Sequence, residues 1–101
     1  MPNFVVISHF KVESCWREQV AQAFLNRPGL VENAPGFIRM EALQQQDDLD
    51  QFWVHMTWQD EDSFDSWHKG HQFKESHAGM PKGLKLIGEF TDIKRFNLIC
   101  N

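Results

Sequence analysis

The alternation of apolar and polar positions divides the chain into four strand-like and several helix-like stretches. Residues 3 to 12, NFVVISHFKV, are β-branched and aromatic, as strands are. Alternation sets Phe4, Val6, Ser8 and Phe10 on one face and Val5, Ile7, His9 and Lys11 on the other. Both faces are largely apolar, which predicts a strand covered on both sides. Ser8 is then a polar group among apolar ones, and its burial is unfavourable without a hydrogen-bond partner. Behind Ser14, a candidate N-cap, Trp16, Val20, Ala23, Phe24 and Arg27 recur at helical spacing. Pro28 cannot continue that helix and pushes Arg27 out of helical geometry. Leu30 and Val31 suggest a further short turn, which Pro35-Gly36 ends.

Residues 37 to 45, FIRMEALQQ, predict a second strand, with Phe37, Arg39, Glu41 and Leu43 facing one way and Ile38, Met40, Ala42 and Gln44 the other. Gln45 to Asp50 reads as a polar hairpin loop. Phe52 to Trp58 is a third strand, with Phe52, Val54, Met56 and Trp58 on one face and Trp53, His55 and Thr57 on its opposite. Asp60 can cap a helix over 61–69 that sets Phe64, Trp67 and His68 on one face. Gly70 suits a left-handed residue at its end. A second helical turn from His71 to His77 places Phe73 and His77 four apart, again on one face. Ala78 to Lys85 is a loop, and residues 86 to 98 give the last strand. The order β-α-β-β-α-β predicts an α+β, ferredoxin-like subunit with one antiparallel sheet and helices on one face. The face bearing Val5, Ile7, His9 and Trp53 must be covered too, and a second copy of the sheet is the simplest cover.

Composition narrows the partners. At 101 residues, 42% hydrophobic and 13% aromatic, the chain is one domain, 1–101, with enough apolar material for a core. The net charge is −4 and the Lys and Arg residues are scattered, which argues against a nucleic-acid backbone as partner. Cys15 and Cys100 lack CxxC spacing and read as free thiols in a reducing compartment, so cytoplasmic is the expectation. No hydrophobic run approaches the ~20 residues that cross a bilayer. The first residues, MPNFVVISHF, form a strand rather than a signal peptide.

Candidate chemistry concentrates between Trp58 and His77, where aromatic side chains and histidines lie near Gly70. His68-x-x-His71 has no nearby Cys and no well-placed carboxylate, and Gly70 interrupts it, so it reads as solvated surface rather than a metal site. His9 and His55 lie on strands and read as core or interface residues. His77 has two readings. It caps a helix C-terminus while Trp67 fills the core, or its neutral imidazole serves as a haem ligand or general base. Ser8 and His9 are adjacent on a strand and point to opposite faces, so they form no nucleophile–base couple. GxSxG, P-loop, GxGxxG, HExxH and CxxC motifs are absent from the sequence.

The runs FVVISHFKV, FLNRPGLVENAPGFIRMEAL and MTWQDEDSFDSWHKGHQFKESH together resemble the antibiotic biosynthesis monooxygenase superfamily, and within it the haem-degrading monooxygenases. The resemblance covers nearly the whole chain. Its most specific pieces are NRPGL…PGF and the aromatic pattern from Trp58 to His77. It implies a homodimeric α+β barrel in which two ferredoxin-like subunits lay their sheets face to face. It also implies that His77 is the proximal haem ligand and Trp67 the site tryptophan, with Phe64 and Phe73 walling an apolar pocket. The family's distal asparagine falls on Ser8. This is a departure, because a serine hydroxyl also donates but is shorter. Haem would be both cofactor and substrate, cleaved with electrons from an external reductant and releasing iron. The same superfamily implies an alternative, a cofactor-free monooxygenase of quinol or polyphenol substrates with His77 as base. A non-enzymatic haem-binding dimer and a plain structural dimer complete the set.

Overall fold

A computed structural model of the chain describes residues 3–27, 30–70, 84 and 92–100. Four strands, β1 (Phe4–Lys11), β2 (Phe37–Gln44), β3 (Gln51–Trp58) and β4 (Asp92–Asn97), form one antiparallel sheet in the order β2-β3-β1-β4. Two helices, α1 (Arg17–Leu25) and α2 (Glu61–His68), are inserted between strands as a ferredoxin-like subunit requires. The expected turn from His71 to His77, with Phe73 and His77, and most of the following loop lie outside the described residues. So do residues 86–91 of the expected last strand.

The two central strands take both faces from their apolar alternation. Phe4, Val6 and Phe10 of β1 share the helix side with Phe52, Val54, Met56 and Trp58 of β3, in register from Phe4↔Trp58 to Lys11↔Gln51. Two apolar clusters result. One, at the Phe4–Trp58 end, holds Val6, Val31, Met56, Trp58 and Phe64; the other holds Val12, Val20 and Phe52, with Phe10, Phe24 and Leu84 packed on it. Burying a side chain of this size contributes roughly 1.5–3 kcal/mol each, so these clusters are the main stabilising term.

Three local expectations are corrected. Phe37 joins Met40 on the helix side instead of Arg39 and Glu41, because the β2–β3 register shifts between Phe37 and Arg39. That bulge inserts Ile38, 46% exposed, and lets the Phe37 ring meet the edge of Trp58 at 5.5 Å. Ser14 does not cap α1. It begins a 3-10 turn, Ser14–Trp16, and its hydroxyl donates to Asp50 Oδ2 at 2.7 Å. The Asp50 carboxylate that accepts this bond also lies 3.7 Å from Arg17 Nε, and a charged acceptor makes the stronger kind of hydrogen bond. Gly70 is not left-handed. Lys69 stays in helical geometry and the Gly70 N–H donates to Trp67 O at 3.0 Å, so α2 ends by tightening its last turn.

Among the described residues the left-handed glycine is Gly36, with φ 84°. Its carbonyl accepts the Gln59 N–H at 2.7 Å, and a Cβ there would collide with the Cβ and Oγ of Ser63. Pro35-Gly36 thus brings the start of β2 against the first turn of α2. α1 ends at Leu25, two residues short of Arg27, consistent with Pro28 having no N–H to give.

Candidate functional site

α2 carries the described half of the site, and its start is fixed locally. Asp60 is extended, and its Oδ1 accepts the Ser63 N–H at 2.8 Å and the Ser63 hydroxyl at 2.7 Å. Those bonds, the hydroxyl's first, hold the Asp60 carboxyl below its ordinary range. Glu61 and Asp62 add negative charge at the positive end of the helix dipole.

The apolar face of α2 lies on the first core cluster. Phe64 is 3% exposed, with its ring 6.0 Å from Phe4 and 5.8 Å from Trp58. Trp67 is half-buried, tilted against Trp58 at 5.6 Å and Phe64 at 6.3 Å. Phe64 therefore stands behind Trp67 as a core residue, and His68 stacks on Phe64 at 5.3 Å. From the sheet edge, Arg95 of β4 donates to Glu61 Oε2 at 2.7 Å and Asp65 Oδ1 at 3.0 Å, with its guanidinium carbon 5.4 Å from the Phe64 centroid. The bonds to Glu61 and then Asp65 hold the guanidinium above its ordinary range.

Ser8 lies on the same side of the sheet. It pairs with Val54, which packs on the cluster that includes Phe64 and Trp67. By register, Ala42, Val54, Ser8 and Ile93 form one row across all four strands. That row of short or branched side chains separates the Met40–Met56–Val6–Arg95 row from the Gln44–Phe52–Phe10 row. At its β2 end lies a cleft of about 520 Å³, roofed by Ala21, Phe24 and Leu25 and floored by Met40, Ala42 and Phe52. The cleft is lined by neither Trp67 nor Phe64. Strand spacing of about 4.8 Å puts Ala42 roughly 10 Å from Ser8. Sequence reasoning missed this cleft; the small residues Ala21 and Ala42 facing each other were its available signal.

His77 and Phe73 lie outside the described residues, as does His71 of the His68-x-x-His71 pair. No group of three or more His, Cys, Asp or Glu able to hold a metal occurs among the described residues. His9 and His55 face away from the helices. His9 stacks on Trp53 at 3.8 Å with Nε2 2.6 Å from Gln51 Oε1, and His55 Nδ1 lies 3.5 Å from Glu41. Cys15 and Cys100 are free and exposed. Among the described residues no helix is long and apolar enough to cross a membrane.

An antiparallel sheet with two helices on one side, a tryptophan on the second helix and a polar residue on the first strand defines an α+β protein of the ferredoxin-like class. Residues 3–79 match the antibiotic biosynthesis monooxygenase family, and the chain belongs to it. It is 36% identical over 62 residues to a haem-degrading monooxygenase of Bacillus cereus, a match covering 56% of this chain and 58% of that protein. Among solved structures it superposes on the haem-degrader MhuD of Mycobacterium tuberculosis, determined with two haems in its active site. The TM-score is 0.78 at 22% identity, covering 97% of each chain. It also superposes on SnoaB, a cofactor-independent oxygenase of Streptomyces nogalater, with TM-score 0.69 at 14% identity, covering 100% of this chain and 95% of that one. At those identities the structural likeness is one of fold.

Proposed function

We infer that the protein is a haem-degrading monooxygenase that takes haem as cofactor and substrate, cleaves the porphyrin and releases iron. The observation that carries this is the placement of Trp67, braced by Trp58 and Phe64, over the sheet face on which Ser8 lies in a row of short side chains. The similarity to the B. cereus haem-degrading monooxygenase and the shared fold with a haem-bound protein support it. The cleft at the end of that row sets Phe24, Met40 and Phe52 beside Arg27 and Gln44, a lining suited to a guest with an apolar body and polar groups.

Bound haem would supply an iron centre that activates oxygen against its own ring. The chain's residues do the placing. His77 would hold the iron, Trp67 and Phe73 would wall the ring, and the Ser8 hydroxyl would donate a hydrogen bond to bound oxygen. An external reductant supplies the electrons. The working unit is a homodimer with the helix-free sheet faces together.

Haemin titration tests this. A Soret band is expected on adding haemin, lost in His77→Ala, and it should decay when ascorbate is added in air with catalase present. A Soret band that persists under those conditions leaves a haem-binding dimer and overturns the enzyme. A second reading, a cofactor-free oxygenase of quinol-type substrates with His77 as base, is supported by the fold shared with SnoaB. Absence of any Soret band, together with oxygen uptake on a quinol, would establish it instead.

A further inference from the structure

We propose that Arg95 is a positioning residue that fixes the tilt of the Trp67 indole by clamping α2 onto the edge of the sheet. α2 has 8 residues, about two turns, too short to be stable alone in water. Its Glu61 and Asp65 are four apart on one face, where like charges repel. Arg95 lies between them, donating from one nitrogen to both carboxylates at 2.7 and 3.0 Å. Its guanidinium also faces the ring of Phe64, so the cation meets both the charged edge and the apolar face of the helix.

Arg95 is well placed for that task. It stands opposite Val6 of β1, in the row that continues to Met56 and Met40, so its backbone is anchored to the centre of the sheet. Besides this clamp, α2 meets the core through Phe64 and Trp67, and its first turn abuts Gly36 at Ser63. Without Arg95, the repelling carboxylates leave the part of α2 beyond its Gly36 contact to tilt about Phe64. The side chain that moves is Trp67, one turn further on and half-buried. An indole that must press on a flat guest loses more by tilting than a core residue does, because misplacement of about 1 Å lowers reaction rates steeply. The functional half of this inference rests on the haem reading; the mechanical half does not.

The test labels the four tryptophans with 5-fluorotryptophan and assigns the Trp67 resonance with Trp67→Phe. In Arg95→Gln the Trp67 signal should shift or broaden while those of Trp16 and Trp53 stay in place. High salt on the wild type should move it the same way, since exposed ion pairs are screened. Haemin affinity should hold within about threefold while Soret decay slows about tenfold. Arg95→Lys, which keeps the charge without the fork, should recover part of both. An unchanged Trp67 resonance in Arg95→Gln overturns the clamp. A moved resonance with unchanged decay overturns its role in the site. Should Arg95→Gln fail to fold, Arg95→Lys and the salt series carry the same decision. Failure of the wild type to bind haemin sinks the haem reading and leaves the resonance to decide on the clamp.

Discussion

The proposed haem-degrading role gives Ser8 the place of the family's asparagine, and its surroundings make that proposal testable. Its neighbours along the row are Ala42, Val54 and Ile93, so a larger side chain meets no aromatic wall within the row. Ser8→Asn adds an amide donor that reaches further from β1 than a hydroxyl does. The expected outcome is faster Soret decay, by up to roughly tenfold, at unchanged haemin affinity. Equal or slower decay would place Ser8 outside the distal region. At this scale the sequence was informative wherever a residue's role follows from its own strand or helix, as with Ser8 sharing a face with Phe4 and Val6. It was silent where the partner is distant. Ser14 finds Asp50, 36 residues away, and nothing near Ser14 announces it. The face of Phe37 depends on how β2 pairs with β3, so a bulge at Ile38 reverses what alternation predicts.

α2 was legible as an element because its signals are local: Asp60 before it, Ser63 three residues on, and Phe64, Trp67 and His68 at helical spacing. Its attachments were not, since Gly36 and Arg95 reach it from opposite ends of the chain. The cap is expected to set the acid tolerance of the helix. Asp60 is held below its ordinary range in the folded chain, so the unfolded chain binds more protons at this position as pH falls. Stability from the cap is therefore fully present above the ordinary aspartate value of about 3.9 and is lost as pH drops through the lower folded value. Asp60→Ala should lower the melting temperature by roughly 5 °C at pH 7. The gap from wild type should hold to about pH 5 and begin to narrow below about pH 4. Melting curves from pH 7 to 3 decide it; a gap that persists unchanged at pH 3 would show that another group stabilises the helix start.

For the molecule as a whole, the order of strands and helices followed from alternation and spacing, because each central strand is apolar on both faces. That two-sidedness also implies something beyond one chain. The helix-free face carries half-buried Ile7, His9 and Trp53 at its centre, with Leu43 51% and Phe96 42% exposed towards its edges, while Val5 and Thr57 on the same face are already buried within the chain. Its charges are paired within the chain, Arg39 with Glu41 at 3.4 Å, Lys94 with Asp92 at 3.3 Å and Lys11 with Asp48 at 3.3 Å. A chain of net charge −4 repels its copies in general, yet this face offers a second copy apolar surface with its charges already matched. We expect light scattering at tens of micromolar to give twice the 11.9 kDa chain mass. Phe96→Asp would introduce an unpaired carboxylate on each copy's contact surface and should weaken association roughly 100-fold. A wild type that runs as one chain, or a Phe96→Asp variant that still runs as two, would leave this face uncovered by a second copy. The half-buried Ile7 and Trp53 on this face would then require a different partner.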